Sequence, residues 1–92
     1  MSVRECRDIV TIVNRLGLHA RAAAKFVKTA GTFDAEIFVT RKGQEVSGLS
    51  IMGLMMLAAG PGALLEIRTK GKEAEAALSA LTDLINRRFD ED

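Results

Sequence analysis

Apolar residues in this chain recur at two spacings, every second residue or every third to fourth, and the two spacings alternate along its length. This alternation constrains the fold more than any other feature, because period two buries one face of a strand and period 3.6 buries one stripe of a helix. DIVTIVN, residues 8–14, is a β-branched run with Val10 and Ile12 on one side and Thr11 and Val13 on the other. Leu16-Gly17-Leu18 turns the chain. Residues 20–30 are strong helix formers, with Ala23, Phe26, Val27 and Ala30 spaced for a buried face and Gly31 closing the helix. DAEIFVT, residues 34–40, alternates again, Arg41-Lys42-Gly43 reads as a hairpin turn, and QEVS is the return strand. Residues 50–57 form a short helix opened by a Ser50 cap and stopped by Gly60-Pro61-Gly62. ALLEIRT, residues 63–69, is the fourth strand. Residues 72–88 carry the last helical stripe: Ala74, Ala77, Leu78, Leu81, Leu84 and Ile85.

The order strand, helix, strand, strand, helix, strand, helix predicts an α+β open-faced β-sandwich, a four-stranded antiparallel sheet with three helices on one face. A ferredoxin-like arrangement with an added C-terminal helix fits the same order, but a second helix of about two turns is short for covering a sheet. A chain of 92 residues, 48% of them apolar, supports one core. The expected organisation is a single domain over residues 1–92, its core at about 8–88, with 1–7 and 89–92 as terminal extensions.

Several function classes are disfavoured at once. A net charge of +1 and the lack of Tyr and Trp argue against nucleic-acid binding. The apolar stretch LSIMGLMMLAAGPGALL is too broken by glycine and proline for membrane insertion, and MSVRECRD lacks the apolar centre of a signal peptide. A single cysteine, Cys6, rules out an internal disulfide, points to a cytoplasmic location and fits a small strand-edge residue. One histidine and scattered carboxylates offer no metal site and no acid–base pair, and no P-loop motif is present. No cofactor is implied.

The one histidine, His19, falls at the start of the first predicted helix, with Arg21 two residues on. The first N–H groups of a helix lack internal partners and carry the positive end of its dipole, so the amides of Ala20, Arg21 and Ala22 could receive phosphate oxygens. Neutral imidazole is a competent nucleophile near pH 7, and a guanidinium can grip the same oxygens. A histidine at a helix start also serves as a plain polar cap, and residue type alone leaves both readings open.

GLHARAAAKFVKTA followed by VSGLSIMGLMMLA resembles HPr, the histidine-containing phosphocarrier of the bacterial phosphoenolpyruvate-dependent phosphotransferase system, over residues 8–88. The resemblance implies that His19 accepts a phosphoryl group from phosphorylated enzyme I on Nδ1, as a pros-phosphohistidine, and passes it to a histidine of an enzyme IIA. It makes Arg21 the phosphate-stabilising arginine and Ser50 the regulatory serine that an HPr kinase/phosphorylase modifies in some members. It implies a monomeric carrier with a transient phosphohistidine, not a stand-alone enzyme, and extends to the nitrogen-related branch, where phosphorylation state is a signal and no sugar moves. The family usually has proline where this chain has Ala22, a change expected to loosen the first helical turn slightly.

Ser50 reads equally as a helix cap. Ile51, Met52, Leu54, Met55, Met56 and Leu57 are too many for a two-turn helix to bury on one face; Leu54 and Leu57 are core candidates, and Ile51, Met52, Met55 and Met56 either stay partly exposed as a partner surface or join the core. In the family this segment and the first helix form the docking face, which carries over to Ala24, Lys28, Ile51, Met52 and Met55. Arg15, Arg21, Lys25 and Lys28 make that end basic and suited to acidic partner surfaces. Outside the family, the chain could be a protein-binding module tuned through Ser50, with His19 merely capping.

Overall fold

The computed structural model describes residues 4–91. Its elements run β1 (Glu5–Thr11), α1 (Ala20–Ala30), β2 (Glu36–Arg41), β3 (Gln44–Ser47), α2 (Ile51–Met56), β4 (Leu64–Lys70) and α3 (Ala74–Asn86), followed by a single turn, Arg88–Asp90. The strands form one sheet in the order β1-β4-β2-β3, and every pairing is antiparallel. In the ferredoxin-like arrangement β1 and β3 are neighbours at the centre of an equally antiparallel sheet, whereas here β1 is an edge strand beside β4 and β3 is the opposite edge, so that alternative is excluded.

Period-two patterning puts Val10, Ile37, Val39, Leu65 and Ile67 on the covered face of the sheet, each almost fully buried. Val10 lies opposite Leu65 and Val39 opposite Ile67, so their side chains stack across strands beneath the helices. From above, α1 contributes Ala22, Ala23, Phe26 and Ala30, and α3 contributes Ala77, Leu81, Leu84 and Ile85. The other face stays open, with Arg68 packed on the Phe38 ring and paired with Glu5 and Glu45.

Several boundaries differ from those the sequence predicts. β1 covers Glu5–Thr11 and not 8–14, because its partner β4 pairs Glu5 with Lys70 and ends at Leu64 opposite Thr11. The residues expected as an N-terminal extension, from Glu5 on, therefore belong to the sheet. Gly31 closes α1 in right-handed geometry (φ −69°), not in the left-handed conformation that favours glycine. α2 ends before Gly60-Pro61-Gly62, since Ala58 has already turned to φ +51°. The last helix stops at Asn86, and the next residues do not fray away as an extension. Arg88, Phe89 and Asp90 all have positive φ, and Phe89 is fully buried in the core.

Two glycines are required by space. Gly17 has φ +68°, and a Cβ there would sit 2.6 Å from the Ala59 carbonyl oxygen. At Gly48, a Cβ would lie 2.3 Å from Ile37 Cγ2, and its N–H donates to Ile37 O at 2.7 Å.

Candidate functional site

His19 is the N-cap residue of α1, held in extended backbone conformation (φ −80°, ψ −179°). The approach is rigid. Leu18 N–H donates to Ala59 O at 2.8 Å, His19 N–H donates to Gly17 O at 2.9 Å, and the buried Asn14 side chain donates through Nδ2 to the same Gly17 oxygen at 2.8 Å. The first helical bond runs from Ala23 N–H to His19 O. The amides of Ala20, Arg21 and Ala22 therefore have no acceptor within the helix, as at any uncapped start.

The His19 side chain caps none of them. Its ring faces the C-terminal tail, with Nε2 3.0 Å from Glu91 Oε1 and 3.1 Å from Oε2. Glu91 Oε1 also accepts from Asn14 Nδ2 at 2.7 Å, so one buried amide ties the loop before α1 to the tail after α3. Both Asn14 donors thus point at oxygens, while its Oδ1 is buried without a partner among the described residues. The Asn14 and His19 hydrogen bonds hold the Glu91 carboxyl below its ordinary value, the charges of His19 and Lys25 adding to the effect against desolvation. Lys25 Nζ donates to Phe89 O at 2.6 Å, clamping the same turn from α1.

His19 remains partly exposed, its side chain at 27% accessibility, while Glu91 is more covered at 16%. No hydrogen bond engages Nδ1 among the described residues. Ala20 and Arg21 are exposed, and Arg21 makes no side-chain hydrogen bond or ion pair among the described residues. Ala22 is fully buried on the core side of α1, so its amide is the least accessible of the three.

Ser50 occupies the matching position at α2, where its Oγ accepts from Gly53 N–H at 2.9 Å. On α2, Leu54 and Leu57 are buried, while Ile51, Met52, Met55 and Met56 are exposed, Met52 at 74%. α1 packs against α2 and exposes Ala24 and Lys28; Arg15 is exposed in the loop before His19. Leu16 and Leu49 are exposed as well. Lys25 departs from expectation, since its ammonium is committed to the Phe89 carbonyl. A surface depression lined by Arg41, Lys42, Pro61 and Leu64 includes neither His19 nor Ser50. No group of ligating side chains suited to a metal ion occurs among the described residues, and no described helix is long and apolar enough to cross a membrane.

Sequence reasoning missed Asn14 and Glu91. Asn14 read as the end of a strand, and Glu91 as part of an acidic tail.

The family model described as "PTS HPr component phosphorylation site" matches residues 6–87. A phosphocarrier protein HPr of Neisseria meningitidis is 52% identical over 85 residues, covering 92% of this chain and 96% of that protein. Another, from Pseudomonas aeruginosa, is 54% identical over 83 residues, covering 89% of this chain and 92% of that one. The crystal structure of HPr from Thermoanaerobacter tengcongensis superposes with a TM-score of 0.91 at 39% identity, covering 95% of this chain and 98% of the other. Fold, histidine position and sequence agree: the chain belongs to the HPr family, the phosphocarrier proteins of the phosphotransferase system.

Proposed function

We propose that His19 takes a phosphoryl group from the phosphohistidine of enzyme I onto Nδ1 and gives it to a histidine of an enzyme IIA in the cytoplasm. The observation that carries this reading is an accessible imidazole at the N-cap of α1 that leaves the first amides of that helix uncapped. Phosphoryl transfer proceeds through a loose transition state, so positioning and charge neutralisation supply most of the catalysis. The amides of Ala20 and Arg21, the positive end of the α1 dipole and the uncommitted Arg21 guanidinium can supply both. The amide of Ala22 would contribute field more than direct contact, since that residue is buried.

The exposed apolar residues Ile51, Met52 and Met55, with Ala24 on α1, would form the docking surface, and Arg15 and Lys28 would add positive charge at its edge. Ser50 would be the control point of that surface. A phosphate there is tolerated by a helix start but brings about two negative charges next to exposed methionines.

Incubation with phosphoenolpyruvate and enzyme I, followed by intact mass before and after mild acid, tests the central step. One acid-labile phosphoryl group is expected on the wild type and none on His19→Ala. Equal labelling of the two proteins would refute the assignment.

A further inference from the structure

The hydrogen bonds around the tail bear on which ring nitrogen of His19 reacts. An ionised carboxylate only accepts hydrogen bonds, so a neutral His19 that faces Glu91 through Nε2 must carry its proton there. The lone pair is then on Nδ1, the nitrogen without a partner among the described residues. In metal and nucleophile sites, a carboxylate behind an imidazole has this effect: it fixes the tautomer and the ring orientation.

The chain adopts an unfavourable local structure to bring Glu91 here. Arg88, Phe89 and Asp90 take φ values of 61°, 54° and 59°, a left-handed turn built without glycine. Buried Phe89 and the Lys25 bond to its carbonyl hold that turn in place. Asn14 grips the carboxylate although its own Oδ1 stays buried and unpaired. Strain and an unsatisfied acceptor that converge on one contact are what a functional constraint leaves behind.

From this geometry we infer that Glu91 is a positioning residue for phosphoryl transfer, holding the His19 ring with its proton on Nε2 and its lone pair free on Nδ1. The inference deepens the carrier reading and rests on it. In the forward step the Nδ1 lone pair attacks phosphorus and a new N–P bond forms. The N–P bond of the donor phosphohistidine breaks, and its electron pair returns to the donor ring. The Nε2 proton stays where it is, so His19 becomes a phosphorylated imidazolium whose positive charge lies against the Glu91 carboxylate. Onward transfer returns the electron pair to Nδ1, again with no proton moved. Because the two nitrogens point out from different edges of the ring, carboxylate and phosphoryl group can be held together.

The test compares wild type, Glu91→Gln and Glu91→Ala in the full chain, each first shown to be folded by circular dichroism. Ring 15N spectra of the neutral imidazole report the tautomer. Wild type and Glu91→Gln, whose amide oxygen can still accept, should keep the proton on Nε2, while Glu91→Ala should shift a larger share to Nδ1. Labelling by phosphoenolpyruvate and enzyme I should slow about ten-fold in Glu91→Ala, within the range typical for lost supporting contacts, with Glu91→Gln in between. An unchanged rate in Glu91→Ala overturns the inference while leaving the carrier reading intact, as does a slowed rate with an unchanged tautomer. A wild type that takes no label at all overturns both.

Discussion

Two helix starts in this molecule are built from the same geometry and used in opposite ways. Both N-cap residues are in extended conformation, and each carbonyl accepts the first bond of its helix, from Ala23 N–H in α1 and from Leu54 N–H in α2. Ser50 then turns its hydroxyl onto Gly53 N–H and satisfies a donor of its own helix. His19 does no such thing: its side chain is drawn off to Glu91, and the amides behind it stay open. A helix start closed by its own side chain contributes stability, whereas one left open keeps its donors for something that arrives later. The contrast explains how one small domain can hold a closed helix start and an open one within adjoining helices.

The comparison can be broken most directly by removing each side chain in turn. His19→Ala should lose the acid-labile label completely while α1 forms as before, because the ring caps nothing. Ser50→Asp should leave the fold intact, since a carboxylate is welcome at a helix start. If the proposed docking surface is correct, it should weaken enzyme I binding on the order of ten-fold, the effect of a charge set against such a surface. Titration calorimetry against enzyme I would measure it, and unchanged affinity would remove Ser50 from the docking surface. Ser50→Ala should leave labelling unaltered but cost about 1 kcal/mol of stability, the usual loss of a serine cap. Urea unfolding followed by circular dichroism checks this, and a Ser50→Ala protein as stable as wild type would mean that the Gly53 bond is not a working cap.

How far the two starts could be read from residues alone also differs. Ser50 followed by an apolar run is a complete local signal, and so is an alanine-rich helix beginning after Gly17-Leu18. The sheet was legible for the same reason, since alternation in DIVTIVN and DAEIFVT already separates the buried Val10, Ile37 and Val39 from their exposed neighbours. The half of the histidine site supplied by the tail was not legible. Glu91 lies 72 residues from His19 and reaches it only through a turn of three non-glycine residues in left-handed conformation, which no propensity favours. Asn14 was hidden in a different way. β1 ends at Thr11, where β4 runs out, and three residues later the asparagine folds inward to bond Gly17 and Glu91. Tertiary pairing set both outcomes, and period or composition does not encode it.

Smaller effects sharpen the contrast at α1. Ala22→Pro fixes one backbone angle in the first turn and gives up an amide that has no acceptor in the helix, so it should stabilise the fold by about 0.4–1 kcal/mol. A thermal melt would register this as a rise of a few degrees. Ala22 is completely buried, and a fall in melting temperature would mean that the core around it has no room for the ring.

The smallest expected effect belongs to the tail, and it depends on pH. Two hydrogen bonds, from Asn14 and from His19, hold the Glu91 carboxyl below the ordinary glutamate value of 4.5. A carboxylate whose pKa is lower in the folded state adds stability that is fully present above that ordinary value and disappears as pH falls through the lowered one. Docking of the tail should therefore persist through neutral and mildly acidic solution and be lost only in stronger acid. Amide chemical shifts of Phe89 and Glu91, followed from neutral pH downward, would show a step below 4.5 in the wild type that Glu91→Gln lacks. Ser50 carries no ionisable group and caps α2 at every pH in this range, so the Gly53 amide should not move with the tail. A step at Gly53 coincident with the one at Glu91 would show that the two helix starts are energetically coupled, and the separation drawn between them would fail.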